Sequence, residues 1–180
     1  MKTSPFVVAA LAAFLMAPAC ALAVTADHTG DLNATKSVFE WDSKLGTGFT
    51  SLSNEHHGQL GCGTAVVHDC DETLLHVTGC GTIDVANTQT TPTAVDTDLY
   101  TYYSDAAGDE VDPGPSSAQG TPTPNEAVSL PTAAPDGYVL VEIDYTDYVA
   151  TGVHGKATFT PFADGTFNPD TCEPLDDGSA

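Results

Sequence analysis

The stretch "YVLVEIDY" at residues 138–145 decides the fold class. Its apolar residues Val139, Val141 and Ile143 occupy alternate positions, so they share one face of an extended strand. An amphipathic helix would instead repeat its apolar residues every three or four positions. The stretch therefore predicts a β-strand with one buried face.

The same one-sided alternation recurs in short segments bounded by Gly, Pro, Asn and Asp, and no segment keeps a helical period for three turns. The segments are "VFEW" at 38–41, "TLLHV" at 73–77, "TIDVA" at 82–86, "EAVSL" at 126–130 and "KATFT" at 156–160. Together with a tyrosine-rich strand near residue 100 they predict an all-β domain. We expect a sandwich of two antiparallel sheets with about 7–8 strands, and with Phe39 and Trp41 in its core.

The chain divides into four regions by composition. Residues 1–23 carry one lysine, an apolar run and a small-residue exit, which is typical of a secretory signal peptide. The apolar run is far shorter than the ~20 residues of a membrane span, although a lipid anchor at Cys20 is an alternative. We predict a polar linker at 24–35, a β-sandwich domain at 36–163 and an acidic C-terminal tail at 164–180. The protein is thus expected to be secreted, with no membrane span.

One long connection interrupts the predicted strands. Residues 106–125, "AAGDEVDPGPSSAQGTPTPN", contain too much proline and glycine for a helix or a central strand. A connection of this length within one domain is typical of a functional or mobile loop.

The charge of the chain limits its partners. It has 25 acidic residues against four lysines, no arginine, and a formal net charge of −21. Nucleic acid and anionic lipid are bound by clustered Lys and Arg, so both are excluded as partners. The acidic surface is compatible with cations, with basic partners, or with a purely solubilising role.

The cysteines predict disulfide bonds. Once Cys20 leaves with the signal peptide, Cys62, Cys70, Cys80 and Cys172 remain, and an even number in an exported chain indicates two bridges with three possible connectivities. We predict Cys62 with Cys70, which staples a tight loop, and Cys80 with Cys172, which fastens the tail. The alternative is a zinc site, but no C-x-x-C pair is present.

The order of motifs is similar to that of a known family. The segments "CDETLLHV", "GTIDV", "DTDLYTYYSD", "NEAVSLP", "APDGYVLVEIDY" and "GKATFTPF" follow one another within residues 64–162. This chain resembles the bacterial pre-peptidase C-terminal domain family. The resemblance implies a small jelly-roll β-sandwich, a noncatalytic role beside secreted peptidases, and a relationship to collagen-binding and calcium-dependent modules. No peptidase region precedes the motifs here, so we expect a free-standing secreted module.

Three acidic residues are candidate metal ligands. Asp96 and Asp98 lie on the same side of a strand start, and Glu126 begins the strand after the long connection. Carboxylates at this spacing suit one hard cation, which makes calcium the candidate cofactor. The alternative is that the aspartates accept hydrogen bonds from nearby backbone N–H groups.

Two tyrosines are candidate ligand-binding residues. Tyr100 and Tyr102 share one strand face, while Leu99, Thr101 and Tyr103 share the other. The face turned away from the core offers aromatic rings suited to a sugar or a peptide. Alternatively, these tyrosines only contact cross-strand neighbours.

The sequence predicts a binding protein and no enzyme. It contains neither a G-x-S-x-G elbow nor an H-E-x-x-H helix. We expect a noncatalytic secreted module that binds an extracellular protein or polysaccharide, with structural calcium. The alternative is a transition-metal-binding protein that uses His56 and His57 together with His68, His76 or His154.

Overall fold

The computed structural model describes residues 26–43, 70–89, 97–117, 125–145 and 152–175. These residues form nine strands and no helix. The strands are β1 (His28–Leu32), β2 (Val38–Asp42), β3 (Cys70–Thr78), β4 (Gly81–Gln89), β5 (Thr97–Ser104), β6 (Glu110–Ser117), β7 (Ala127–Pro131), β8 (Asp136–Tyr145) and β9 (Val153–Pro161). No helix in the described part of the chain is long and apolar enough to cross a membrane.

The strands form two packed sheets. The five-stranded sheet has the order β1-β3-β8-β5-β6, and the four-stranded sheet has the order β2-β9-β4-β7. Most consecutive strands lie in different sheets, and every pair is antiparallel except β1 with β3. When β1 is left aside, the eight strands β2 to β9 have the strand order of a jelly roll. The predicted all-β sandwich is therefore confirmed.

The core lies between the two sheets and is built from the alternate apolar positions of the strands. Val139, Val141 and Ile143 of β8 are buried there, as the alternation predicts, and so is Trp41. Phe39 packs against the same cluster. Glycines make room for these two rings, since an added Cβ at Gly30 would overlap Phe39 and one at Gly155 would overlap Trp41. The other core residues are Leu32, Leu75, Val77, Ile83, Val85, Leu99, Leu130, Val153, Ala157 and Phe159.

Two strands differ from the sequence prediction. β1 lies within residues 24–35, the predicted linker, because it pairs in parallel with β3 and inserts Leu32 into the core. β6 lies within the long connection predicted at 106–125. It is an edge strand, where Pro113 and Pro115 are tolerated because one side of the strand needs no hydrogen-bonding partner.

One predicted disulfide bond is confirmed. Cys80 is bonded to Cys172, with 5.1 Å between their Cα atoms. The bond ties the C-terminal tail to the turn before β4. Cys70 is also disulfide-bonded, and Cys62, its predicted partner, lies outside the described residues.

Candidate functional site

The outer face of the five-stranded sheet carries carboxylates on three neighbouring strands. Glu72 of β3 lies directly opposite Glu142 of β8. Asp144 of β8 lies between Cys70 of β3 and Asp98 of β5. Because side chains alternate along a strand and Ile143 is in the core, these acidic residues face away from the core. We call Glu72, Glu142, Asp144 and Asp98 the acidic row.

Two members of the acidic row are buried. Glu72 is 2% exposed and Glu142 is 0% exposed. Two like charges placed opposite each other on a sheet repel, and burial strengthens the repulsion because water no longer screens it. A buried carboxylate pair is therefore stabilised only by shared protons, hydrogen-bond donors or a cation.

Carboxylate oxygens of Glu142 and Asp144 and the sulfur of Cys70 all lie within 4.8 Å of one another. Cys70 is disulfide-bonded, so its sulfur is not a thiolate and is a poor metal ligand. The remaining potential metal ligands are carboxylate oxygens, which suit hard cations such as calcium or magnesium.

The negative charges on this face affect the pKa of Tyr102. It lies on the outer face beside Leu140 and is 6% exposed. Burial raises the pKa of its hydroxyl well above the usual range, and the charges of Glu142 and Asp144 raise it further. The potential on this face therefore favours bound cations and disfavours additional negative charge.

The structure does not bring the three predicted metal ligands together. Asp98 is in the acidic row, but Asp96 lies outside the described residues. Glu126 is buried and accepts a hydrogen bond from the hydroxyl of Ser117, which pairs with the core residue Leu99. Glu126 thus lies on the core side of β5, whereas Asp98 faces outward.

Glu126 also belongs to a separate hydrogen-bond network near the start of β5. Its backbone N–H donates to Oδ1 of Asn87 at 2.6 Å, and Nδ2 of Asn87 donates to the hydroxyl of Thr97 at 3.0 Å. The network connects β4 and β5 to the residue just before β7, which gives the buried Glu126 a structural role.

The two predicted ligand-binding tyrosines share the outer face. The core takes Leu99, with Thr101 buried and Tyr103 packed against it, so Tyr100 and Tyr102 point the other way. Tyr100 lies opposite Glu142 and is half-buried. Since Tyr102 is nearly buried, Tyr100 presents more of its ring to a ligand.

His76 and His154, the two candidate metal-binding histidines within the described residues, lie on different sheets. His76 lies on the outer face of the five-stranded sheet and contacts Asp136 at 2.7 Å. His154 lies on the outer face of the four-stranded sheet and contacts Asp42 at 2.9 Å. Within the described ranges, no group of three potential metal ligands includes a histidine. His56, His57 and His68 lie outside those ranges.

Sequence reasoning missed Glu72, Glu142 and Asp144. The signal was present, because Glu142 and Asp144 alternate with the apolar positions of "YVLVEIDY" and so had to face away from the core. What the sequence could not give was the pairing of β3 with β8, which places Glu72 opposite Glu142.

No protein family and no curated protein matches this chain. Among solved structures it is similar to CorA of Methylomicrobium album BG8, described as a surface-associated copper-binding protein important in copper acquisition, with 9% identity, a TM-score of 0.44, and coverage of 73% of this chain and 98% of that one.

It is also similar to the pre-peptidase C-terminal domain of a collagenase from Bacillus anthracis, with 8% identity, a TM-score of 0.41, and coverage of 76% of this chain and 97% of that one. Values this low assign neither a family nor a function, so membership of the pre-peptidase C-terminal domain family stays a prediction.

Proposed function

We propose that this protein is a noncatalytic, secreted β-sandwich module that binds an extracellular protein or polysaccharide and holds a structural calcium ion at the acidic row. The observation that carries the calcium proposal is the burial of Glu72 and Glu142 directly opposite each other. Hard divalent cations prefer carboxylate oxygens, and binding one removes the repulsion between them. Asp144 and Asp98 are the neighbouring carboxylates that would complete such a site.

The extracellular role is supported by the signal-peptide pattern and by the Cys80–Cys172 bond. Disulfide bonds persist in oxidising compartments, where calcium is also abundant enough for weak sites. Tyr100 supports the binding role, because its half-buried ring lies beside the acidic row and is more exposed than that of Tyr102. The ring would stack on a sugar or contact a basic peptide segment.

Calcium binding is tested by thermal unfolding of the mature protein after treatment with a chelator. At a calcium concentration about ten times Kd, a site present only in the folded state adds ~1.4 kcal/mol. That gain corresponds to a rise in melting temperature of about 3–6 °C for a domain of this size. Sodium chloride at the same ionic strength should give a smaller rise, because it only screens charge.

Two variants separate a bound ion from general screening. Asp144→Asn removes a ligand of the acidic row and should abolish the extra rise caused by calcium. Asp84→Asn removes the same charge from an exposed position on the four-stranded sheet and should keep it. Equal effects of both salts on the native protein would reject the calcium proposal and leave shared protons or hydrogen bonds as the stabilising factor.

Ligand binding is tested by capture of proteins and polysaccharides from culture supernatant on the immobilised mature domain. Tyr100→Ala should reduce recovery of a captured partner severalfold, since it removes the accessible ring. Thr160→Ala, an exposed change on the opposite sheet, is the matched control. Equal recovery by both variants would exclude Tyr100 from the binding surface.

A further inference from the structure

An N-glycosylation motif lies between β1 and β2. Asn33, Ala34 and Thr35 fit the acceptor pattern N-x-[ST], and none of the other four asparagines of the chain does. A pattern this short also occurs by chance, so its structural context is needed as a second observation. An acceptor asparagine must lie on the surface of an exported protein, because the attached oligosaccharide is bulky and polar.

The structure places the motif in an exposed turn. Residues 33–36 form a bend between β1 and β2, which belong to different sheets. Ala34, Thr35 and Lys36 are exposed, and Asn33 is half-buried. The backbone N–H of Asn33 donates to the carbonyl of Lys36 at 3.0 Å, which closes the turn. The motif therefore has the surface position that an acceptor requires.

Hydrogen bonds orient the side-chain amide of Asn33. Its Oδ1 accepts from the N–H of Thr35 at 2.9 Å, from the hydroxyl of Thr35 at 2.7 Å and from the N–H of Lys36 at 2.8 Å. Two of these partners are backbone N–H groups, so the oxygen of the amide must face them and the nitrogen must face the other way. Nδ2 has no hydrogen-bond partner among the described residues and is not buried. The nitrogen that would carry a glycan is thus open to solvent.

A glycan at Asn33 would not cover the acidic row. β1 runs parallel to β3, and Leu32 at the end of β1 lies beside Val77 near the end of β3. Asn33 follows directly, whereas Glu72 lies near the start of β3, so the two are separated by about 20 Å along the strands. Tyr100 lies at the level of Glu72. The modification is therefore compatible with the proposed binding surface.

We propose that Asn33 is the acceptor of an N-linked oligosaccharide. The donor is an oligosaccharide linked through its anomeric carbon to a polyprenyl pyrophosphate. Nδ2 forms a bond to the anomeric carbon, the bond from that carbon to the phosphate oxygen breaks, and the polyprenyl pyrophosphate leaves with the electron pair. Nδ2 loses one proton to a base of the transferase. The inference rests on the export of the chain, which is part of the proposed function, and is independent of calcium and ligand binding.

The acceptor is tested by incubating the purified mature protein with an oligosaccharyltransferase and a synthetic polyprenyl-pyrophosphate oligosaccharide. Intact-mass spectrometry should show the addition of one oligosaccharide per chain, and peptide mapping should locate it at Asn33. The protein is tested both folded and after reduction and unfolding, because transfer can precede folding. A version with a second acceptor motif appended to its C-terminus shows whether the transferase is active.

Two substitutions of Thr35 isolate the role of its hydroxyl. Thr35→Ser keeps the hydroxyl and should keep the modification, whereas Thr35→Val has nearly the same shape without the hydroxyl and should lose it. Asn33→Gln removes the acceptor and should stay unmodified. Asn168→Gln changes an asparagine outside the motif and should be modified like the wild-type protein.

The glycan should leave the fold intact, because the nitrogen that carries it faces solvent. We expect the melting temperature of the modified protein to lie within about 3 °C of that of the unmodified protein, a shift that corresponds to less than ~1 kcal/mol for a domain of this size. A larger fall would show that the native turn does not accommodate the glycan.

The proposal would be overturned by transfer to the appended motif without transfer to Asn33 in either state of the protein. Modification of Thr35→Val as complete as that of the wild-type protein would also contradict it. The intact mass of the protein from cultures of its source organism separates this inference from the proposed function. A chain that retains residues 1–23 would reject secretion, whereas an exported chain without added mass would reject the glycan.

Discussion

Trp41 and Asp71 connect the two sheets across the core. The indole N–H of Trp41, in β2 of the four-stranded sheet, donates to Oδ1 of Asp71, in β3 of the five-stranded sheet, at 3.0 Å. The second oxygen of Asp71 lies 3.2 Å from Nε2 of His28 in β1. Asp71 is 2% exposed, so a buried carboxylate holds together strands of both sheets.

Replacing Asp71 should therefore destabilise the fold. Asp71→Ala leaves the indole N–H of Trp41 buried without its acceptor, and we expect a loss of about 3 kcal/mol in the free energy of unfolding. Asp71→Asn keeps an acceptor oxygen for Trp41 and should cost less. Urea unfolding measures both, with the exposed Asp84→Ala as control. A loss below about 1 kcal/mol in the alanine variant would contradict this role.

Two glycines should respond to the same substitution with opposite signs. Gly155→Ala drives a methyl group into the ring of Trp41, so we expect destabilisation of about 2 kcal/mol or more from overpacking. Gly137→Ala adds a methyl group in open space and limits the freedom of the unfolded chain, so it should stabilise by about 0.5–1 kcal/mol. Melting temperatures that fall equally in both would show that the space at Gly137 is not available.

The sequence predicted most of the strands, but it did not predict which residues meet across neighbouring strands. Alternation identified seven strands and the core position of Trp41, because a strand with one buried face carries an apolar residue at every second position. β1 and β6 were missed, since "HTGDL" and "EVDPGPSS" contain few apolar residues and form strands only by pairing with neighbours. The acidic row was missed for a related reason, because Glu72 and Glu142 are 70 positions apart and meet only through strand register.

Removing the Cys80–Cys172 bond should destabilise the protein more than most single substitutions. The bonded cysteines are separated by 92 positions, and closing a loop of that size contributes about 4.5 kcal/mol in the chain-entropy model. The double variant Cys80→Ser with Cys172→Ser removes this bond and keeps the one at Cys70. Urea unfolding close to that of the wild-type protein would show that the bond adds little.

Tyr102 should make the protein sensitive to alkali. The pKa of its hydroxyl is raised in the folded state, mainly by burial and then by Glu142, whereas in the unfolded chain it is ~10. Folding stability is thus unaffected below about pH 10 and falls above it, by up to ~1.4 kcal/mol per pH unit for one such group. Tyr103, whose pKa is also raised by burial, adds to the effect.

The variant Tyr102→Phe separates the two tyrosines. It should lose stability less steeply than the wild-type protein between about pH 10 and pH 11.5, as measured by urea unfolding at several pH values. An unchanged slope would mean that Tyr102 ionises in the folded protein as readily as in the unfolded chain.

The position of β9 determines when the protein can fold. β9 lies between β2 and β4 and pairs with both, so the four-stranded sheet lacks its central partner until residues 153–161 have been synthesised. Native pairing of β2 with β9 also joins segments more than 100 positions apart, and such distant contacts form slowly. A chain of this topology cannot complete its four-stranded sheet before β9 is present, so the native contacts of β2 form late in folding.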